Sequence, residues 1–284
     1  MKNNLVVASD IGGTHITSAI VDISTWQILE DTISRSHVNS KSDAKSIFLS
    51  WTSCIKRAMG RCKTEVTRVG IAMPGPFDYD NGISLMKNQD KYDALYQMNV
   101  SVGLIDSLEK QKDIRFINDA AAFLQGEIFA GDLHDYSSVL GVTLGTGLGS
   151  AVWRHGERAF DADLWNTPYK DGIFEEFLVT RWLTKRFKEL SGIAENGFKD
   201  ILLKHQHTDA FGQLMIEYTK SLYDFFKYFA EKHQATSFIL GGNITNAWPI
   251  VKAYNEERFS EFEIHTGRYA EQAAILGAAS LFKD

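Results

Sequence analysis

Two glycine-rich turns, each placed between two apolar segments, constrain the fold of this chain more than any other feature. The first lies within residues 6–20 and has the sequence Asp-Ile-Gly-Gly-Thr-His; the second lies within residues 139–152 and has the sequence Leu-Gly-Thr-Gly-Leu-Gly-Ser. Each half of the chain therefore begins with a predicted β-hairpin whose tip is rich in Gly and Thr. Predicted strands and helices alternate through the rest of each half, a pattern that favours an α/β fold.

Glycines at a hairpin tip allow backbone N–H groups to face an anion, because no Cβ blocks its approach. Thr14 and Thr146 add hydroxyl donors beside these glycines. Two such tips facing each other across a cleft would hold a polyphosphate, and Asp10 would orient the water shell of a Mg²⁺ ion that bridges phosphate oxygens. The alternative interpretation is that both segments are ordinary tight turns.

Charge and cysteine content exclude several classes of protein. The 284 residues include 30 Lys and Arg against 36 Asp and Glu, a net charge of −6, which argues against a nucleic-acid partner. Cys54 and Cys62 are too few for a disulfide framework or a four-thiolate zinc site. No secretory-signal pattern and no apolar run of roughly 18 residues is found, so we expect a cytoplasmic protein with no membrane partner.

Two other nucleotide-binding patterns are also excluded. The sequence G-x-x-x-x-G-K-[ST] is absent, and Gly145-Thr146-Gly147-Leu148-Gly149 does not fit G-x-G-x-x-G. The segment after these glycines is strand-like rather than helical, so a Rossmann dehydrogenase is not expected.

The spacing of apolar residues predicts the elements that carry these motifs. A strand is predicted at 26–33, after the first hairpin. Helices are predicted at 42–59, 101–110, 120–130, 173–190, 208–233 and 269–282. The spacing also predicts which faces of two helices are buried: Ile47, Phe48, Trp51, Ile55 and Ala58 on the first, and the aromatic-rich stripe Tyr218, Leu222, Phe225, Phe226 and Phe229 on the helix at 208–233.

Five motifs, in chain order, resemble those of known ATP-binding proteins. Residues 10–14 and 144–150 look like the two phosphate loops of the sugar kinase/actin/heat-shock-chaperone ATPase superfamily, and Leu240-Gly241-Gly242-Asn243 looks like its adenosine-binding turn. Ala72-Met73-Pro74-Gly75-Pro76 and Ile117-Asn118-Asp119-Ala120 resemble, more narrowly, the ROK family of bacterial sugar kinases and regulators. The chain is similar to the glucokinase-like branch of that superfamily.

The resemblance implies a two-domain actin-like ATPase (ribonuclease H-like) α/β fold with an interdomain cleft. The expected domains are 1–117 with about 266–284, and 118–265. The implied activity is ATP-dependent phosphorylation of a hexose or an N-acetylated amino sugar, with Mg²⁺ and ATP held between the two hairpins. A homodimer is also expected.

The same resemblance assigns roles to individual residues. Asp119 is the implied general base that deprotonates the sugar hydroxyl, although an Asn-Asp pair before a helix is also an ordinary N-cap. Asn88 and Asn118 are implied sugar ligands, and Asp10 is the implied Mg²⁺ ligand through water. The implied ATP-binding residues are Asp10, Gly12, Gly13, Thr14, Gly145, Thr146, Gly147, Gly241 and Gly242.

One segment departs from the family pattern. Family kinases carry a Glu-x-Gly-His element followed by a cysteine cluster that binds structural zinc, whereas residues 161–166 here are Asp-Ala-Asp-Leu-Trp-Asn and no cysteine follows. No structural zinc is therefore expected. Asp163 and Asn166 would occupy the Glu and His positions, and Glu175 matches the end of the zinc element, so all three are candidate sugar ligands.

Two alternatives to a kinase remain. Some ROK proteins are transcriptional repressors with an N-terminal helix-turn-helix, but the first predicted strand begins at about residue 5 and leaves no room for one. The other alternative is a sugar-binding protein or ATPase that has lost kinase activity. Asp119 and the two phosphate loops favour the kinase.

Overall fold

The computed structural model describes residues 4–89, 91–108 and 112–283. Contacts divide the chain into unit 1, Met1–Asp135 with Glu271–Asp284, and unit 2, Tyr136–Ala270. The predicted domains, 1–117 with about 266–284 and 118–265, have boundaries at different positions from those of these two units.

Unit 1 is built around a mixed sheet. Its order is β3-β2-β1-β5-β8, with β4 also paired to β2; β1 is antiparallel to β2, and β1, β5 and β8 are parallel. Within the described residues, the strands are β1 (Leu5–Ile11), β2 (His15–Asp22), β3 (Gln27–Ile28), β4 (Ser34–His37), β5 (Arg68–Met73), β6 (Phe77–Asp78), β7 (Ile83–Ser84) and β8 (Asp113–Asn118), and the helices before residue 135 are α1 (Ala44–Gly60), α2 (Val100–Leu108) and α3 (Asp119–Gly131). Short 3-10 helices lie at Glu30–Thr32 and Asp93–Leu95.

The core of unit 1 forms where α1 packs against this sheet. Asp43 caps α1 by accepting a hydrogen bond from the Ser46 N–H at 3.0 Å. The predicted apolar face of this helix is confirmed, since its members are all buried: Ile47, Phe48, Trp51, Ile55 and Ala58. Buried residues on both sides of β1 and β5 explain why these parallel strands are nearly continuous apolar runs.

Unit 2 has a second sheet of similar design. Its order is β11-β10-β9-β14-β15, with β9 and β10 antiparallel and β14 parallel to both β9 and β15. The strands are β9 (Ser138–Leu144), β10 (Leu148–Arg154), β11 (Phe160–Asp161), β12 (Pro168–Tyr169), β13 (Gly172–Ile173), β14 (Ser237–Gly241) and β15 (Glu263–Thr266), and the helices are α4 (Phe174–Leu178), α5 (Thr180–Ser191), α6 (Phe198–His205), α7 (Asp209–His233), α8 (Trp248–Ala253) and α9 (Glu256–Phe259). A 3-10 helix lies at Asn243–Ala247. The aromatic stripe predicted on α7 is buried in the core of this unit.

The last helix, α10 (Ala273–Ser280), belongs to unit 1 because it packs closely on α3. A Cβ on Gly126 of α3 would lie 1.9 Å from the Ala273 carbonyl oxygen, and one on Gly277 would lie 1.8 Å from that of Ala122. These two glycines allow the backbones to approach, and the contacts therefore place α3 in unit 1 together with α10.

Several predicted elements end elsewhere. The strand predicted at 26–33 was wrong beyond Gln27–Ile28, because Thr32 accepts a hydrogen bond from the Ile20 N–H within a 3-10 turn. The helix predicted at 173–190 is two helices, broken at Val179. That predicted at 101–110 corresponds to α2, and residues 109–110 lie outside the described residues.

No helix in the described part of the chain is both long enough and apolar enough to span a membrane.

Candidate functional site

In unit 1, the carboxyl ends of three parallel strands bring the predicted catalytic residues to one edge of the sheet. Asp10 of β1 pairs with Ala72 of β5, and Ala72 pairs with Ile117 of β8. Asp119 directly follows β8, so it lies beyond the same edge as Asp10, with the two strands roughly 10 Å apart. This edge is where ligands bind in sheets of this type.

Loop 1 (residues 12–14) connects β1 to β2 at this edge. The Gly12 N–H donates to the His15 carbonyl at 2.9 Å and closes the turn. Space around Gly13 is open, and in the described part of the chain the N–H groups of Gly13 and Thr14 donate to no backbone carbonyl. Both groups are therefore available to an anion.

The Gly12 carbonyl is bound by a residue that the sequence did not indicate. The Tyr92 hydroxyl donates to this oxygen at 2.5 Å, across 80 positions of the chain. Tyr92 is fully buried, and burial raises the pKa of its hydroxyl far above the ordinary value. This side chain is therefore a neutral donor at every working pH.

Asp10 is half-buried at the base of loop 1 and is surrounded by negative charge. Burial raises the pKa of its carboxyl from 3.8 to about 7, and the charges of Asp119 and Glu271 add to the rise. The positive charge of Arg35 opposes it. Ionised Asp10 is thus costly until a cation is present.

Asp119 is the first residue of α3, and its side chain is exposed to solvent. Reduced hydration raises the pKa of its carboxyl, while the Ala120 N–H, which donates to Oδ1 at 2.9 Å, and the charge of Lys91 lower it. An accessible carboxylate with a raised pKa is a better proton acceptor than an ordinary one.

Asn118 provides the N-cap of α3. Its Oδ1 accepts from the N–H groups of Ala120 at 2.8 Å and Ala121 at 3.1 Å, and its Nδ2 donates to the Tyr79 hydroxyl at 3.2 Å. Of the Asn-Asp pair, Asn118 is therefore the N-cap residue. One oxygen of Asp119, Oδ1, accepts from the Ala120 N–H, and the other oxygen takes no part in the cap. Sugar binding by Asn118 stays a prediction.

Asn88 lies in an irregular segment of unit 1 that also carries Lys91 and Tyr92. Its side chain is exposed, and its backbone is left-handed with φ 57°. The charge of Lys91 lowers the pKa of Asp119, so this part of the segment lies near that carboxyl. Sugar binding by Asn88 stays a prediction.

Loop 2 (residues 145–147) connects β9 to β10 in unit 2. The Gly145 N–H donates to the Gly147 carbonyl at 3.2 Å, and the Gly145 carbonyl accepts both from the Thr180 N–H at 2.8 Å and from its hydroxyl at 2.9 Å. Glu175 Oε2 accepts from the Leu148 N–H at 3.0 Å. Thr180, like Tyr92, belongs to no motif that the sequence offers.

The turn at Gly241–Gly242 lies beside loop 2. Gly242 has φ 89°, and a Cβ there would lie 2.3 Å from the Leu144 carbonyl oxygen, so only glycine fits. Thr245 closes the turn, since its hydroxyl donates to the Gly242 carbonyl at 2.7 Å. The structure thus brings together two predicted ATP-binding motifs that are about 95 positions apart, where β14 pairs with β9.

Glu175, near the end of the divergent segment 161–176, lies beside loop 2, since its carboxylate accepts from the Leu148 N–H directly after the loop. Asp163 and Asn166 are exposed, and Asp163 Oδ1 accepts from the Trp165 ring N–H at 2.7 Å. The sugar-binding roles predicted for these three residues stay predictions. Tyr169 stacks on Phe174 and donates to Asp224 at 2.6 Å, so it serves the packing of this segment.

The described residues contain no group of three or more His, Cys, Asp and Glu side chains placed to hold a metal ion. Asp10 is a single carboxylate beside the open N–H groups of loop 1. Mg²⁺ keeps several waters and is bound through one or two carboxylates plus phosphate oxygens, so Asp10 fits such an ion bound together with a polyphosphate.

A family model described as the ROK family matches residues 6–159, more than half of the chain. The chain is 35% identical to glucokinase of Thermotoga maritima over 94 residues (32% of this chain, 28% of that protein). It is 28% identical to N-acetyl-D-glucosamine kinase of Haemophilus influenzae over 154 residues (52% and 45%), and 24% identical to beta-glucoside kinase of Listeria monocytogenes over a 306-residue alignment (98% and 97%). The first two matches span less than half of the relatives' length.

Solved structures share the fold across the whole chain. A ROK family glucokinase of Streptomyces griseus in complex with glucose and AMPPNP matches with TM-score 0.74 and 18% identity, covering 98% of each chain. A ROK family transcriptional regulator, a homolog of E. coli MLC protein, matches with TM-score 0.75 and 15% identity, covering 97% of this chain and 76% of its own. The chain therefore has the mixed α/β fold of the two-domain actin-like ATPases.

Proposed function

Because this chain belongs to the ROK family, we propose that it is an ATP-dependent kinase that phosphorylates a hydroxyl of a hexose or an N-acetylated amino sugar. The observation that carries the proposal is Asp119, an exposed carboxylate with a raised pKa at the sheet edge that also bears Asp10 and loop 1. The kinase names of the relatives, two of them N-acetylglucosamine kinase and glucokinase, support this substrate class.

In this reaction Asp119 acts as the general base. Its carboxylate accepts the proton of the sugar hydroxyl, whose oxygen forms a bond to the γ-phosphorus of ATP as the bond to the bridging oxygen breaks and ADP leaves. The raised pKa favours this transfer, because a hydroxyl gives up its proton more readily to a stronger base. The Asn118 cap holds the start of α3 and so fixes where the carboxylate stands.

Asp10 and the two loops bind the nucleotide. Bound Mg²⁺ would neutralise charge on the phosphate oxygens, and Asp10 would hold its water shell. Loop 1 would bind phosphate oxygens through the N–H groups of Gly13 and Thr14, and loop 2 through those of Thr146 and Gly147. Gly12 and Gly145, whose N–H groups close the turns, would let the phosphate approach because they carry no Cβ. Gly241 and Gly242 would accommodate the adenosine.

The sugar ligands of this proposal divide into two groups. Asn88 in unit 1 and Asp163 and Asn166 in unit 2 have exposed side chains. Asn118 and Glu175 already bond to backbone N–H groups, so they would bind sugar only with their remaining donors and acceptors. The homodimer rests on the family resemblance alone.

A second candidate is a sugar-binding regulator without kinase activity. The ROK regulator with the same fold supports it, although that chain has about a quarter of its length outside the match. A regulator of this kind would bind sugar without consuming ATP.

A rate assay distinguishes these functions. Purified protein is incubated with Mg·ATP and glucose, mannose or their N-acetylated amino counterparts, and ADP release is followed. We expect release that depends on one of these sugars and that falls about 100- to 10,000-fold in Asp119→Asn. Asp113→Asn, at the exposed opposite end of β8, is the matched control and should retain the rate. Sugar binding without sugar-dependent ADP release would favour the regulator.

A further inference from the structure

In both glycine-rich loops, a side-chain hydroxyl donates to a backbone carbonyl on the side opposite the N–H groups proposed to bind phosphate. In loop 1 the carbonyl of the first glycine, Gly12, accepts from the Tyr92 hydroxyl at 2.5 Å. In loop 2 the carbonyl of the first glycine, Gly145, accepts from the Thr180 hydroxyl at 2.9 Å and from its N–H at 2.8 Å. In each unit a hydroxyl from a distant segment thus binds the same kind of oxygen.

The geometry of the peptide bond gives this feature a consequence. The Gly12 carbonyl and the Gly13 N–H belong to one planar trans peptide, so they point in opposite directions. A donor that holds the carbonyl therefore also fixes the direction of the N–H. A hydrogen bond to the carbonyl also polarises the peptide and makes its N–H a stronger donor to an anion.

Tyr92 is itself firmly held. It is fully buried, its N–H donates to the Ser40 carbonyl at 2.7 Å, and its ring meets the Trp51 ring edge-on at 5.1 Å. Its backbone is left-handed, with φ 58°, a conformation that costs a non-glycine residue free energy. A residue held in this way gives its hydroxyl one direction, toward Gly12.

Thr180 is placed by the break between α4 and α5. Val179 has an extended backbone, with ψ 164°, and this turns the Thr180 N–H away from a helical partner and toward Gly145. The Gly145 carbonyl belongs to the same peptide as the Thr146 N–H, which donates to no backbone carbonyl within the described residues. The arrangement matches that of loop 1, although the segment around Thr180 has no sequence similarity to the segment around Tyr92.

Building on the proposed function, we propose that Tyr92 and Thr180 are positioning residues for the nucleotide: Tyr92 directs the Gly13 N–H, and Thr180 the Thr146 N–H, toward phosphate oxygens. Neither residue touches the substrate in this proposal. Each acts through one peptide of the loop that its own unit contains.

Tyr92→Phe tests the first contact, because it removes the hydroxyl and keeps the buried ring. We expect the dissociation constant of Mg·AMPPNP, measured by calorimetry, and the KM for ATP to rise about 5- to 30-fold. The KM for the sugar and the unfolding temperature should change little. Tyr223→Phe is the matched control, since Tyr223 is also buried and its hydroxyl donates to the Glu261 carboxylate at 3.1 Å in unit 2.

Thr180→Val tests the second contact. The Thr180 N–H still holds the Gly145 carbonyl in this variant, so we expect a smaller rise in the same two quantities, about 2- to 10-fold. Thr219→Val is the matched control on α7, where the buried hydroxyl donates to the Met215 carbonyl at 2.8 Å.

The outcomes separate this inference from the proposed function. Wild-type affinity for Mg·AMPPNP in Tyr92→Phe, in a protein that phosphorylates sugar, overturns the role of Tyr92 and leaves the kinase intact. Weakened binding in the variants of a protein that transfers no phosphoryl group supports the positioning role while the kinase fails. Equal loss in Tyr223→Phe would show that any buried tyrosine hydroxyl matters, and would overturn the inference.

Discussion

Among single residues, the two carboxyl groups at the edge of the unit 1 sheet determine the electrostatics of the site. Burial of the Asp10 carboxyl and the negative charge of Asp119 both disfavour ionisation of Asp10. Asp10 is therefore partly protonated near neutral pH in the absence of a cation. A bound Mg²⁺ ion would reverse this by stabilising the carboxylate.

This arrangement predicts a pH-dependent stability. The pKa of Asp10 is 3.8 in the unfolded chain and about 7 in the folded protein, so its contribution to stability is fully present below about pH 4 and is lost as the pH rises to about 7. Without Mg²⁺, we expect wild type to lose about 1 to 3 kcal/mol relative to Asp10→Asn between pH 4 and pH 8, less than the full shift because the side chain is partly open to solvent. Urea unfolding of both proteins measures this, and parallel pH curves would contradict it.

For single residues, the sequence indicates those that lie within the glycine-rich motifs. It does not indicate the residues elsewhere in the chain whose side chains bond to those motifs. Asp10, Gly12, Gly145 and Gly242 occur in short glycine-rich patterns whose backbone chemistry can be recognised. Tyr92 and Thr180 reach those patterns from 80 and 35 positions away. Their neighbours in the chain carry no sign of that contact, because only the fold creates it.

Among the secondary-structure elements, the start of α3 has the clearest functional consequence. Asn118 pairs with Met73 at the end of β8, and the same residue caps the helix whose first residue is Asp119. One side chain thus joins the strand to the helix and places the proposed base.

Replacing this cap tests the role of the element. Asn118→Ala should lower the free energy of unfolding by about 1 kcal/mol, because two helix N–H groups lose their acceptor. The kcat should also fall, since Asp119 is then less well placed. Asn118→Ser retains a capping oxygen and should recover most of the stability in urea unfolding. Equal stability of the Ala and Ser variants would show that the cap contributes nothing.

The elements also show where periodicity is insufficient. The predicted helix at 173–190 is broken at Val179 although its apolar spacing continues, because the Thr180 N–H bonds to Gly145 instead of to a helical carbonyl. The faces of α1 and α7 were predicted well, since burial against one core fixes their pattern.

At the scale of the whole molecule, the division into two units depends on the last helix, α10, which belongs to unit 1 although unit 2 precedes it in the chain. The family resemblance implies a two-domain fold with boundaries at 117/118 and about 265/266, whereas the contacts divide the chain at 135/136 and 270/271. The difference arises because α3 and α10 pack through Gly126 and Gly277, and helix–helix contact between distant segments leaves no local pattern.

This contact predicts a severe effect of one methyl group. Gly277→Ala should destabilise the protein by about 3 kcal/mol or more, because the new Cβ would meet the backbone of α3 and the helices would have to separate. Gly212→Ala, on α7 with open space around it, should be neutral or stabilising. Thermal unfolding of both variants makes the comparison, and equal unfolding temperatures would contradict the close packing of α3 on α10.

The transfer itself can be observed directly. Wild type, Mg·ATP and the sugar that gives the highest rate are followed by ³¹P nuclear magnetic resonance, with Asp119→Asn measured beside it. A sugar kinase that uses Asp119 as base gives one sugar phosphate for each ADP, and the variant gives neither. ADP accompanied by inorganic phosphate instead of sugar phosphate, or sugar phosphate formed at the wild-type rate by the variant, would contradict this account.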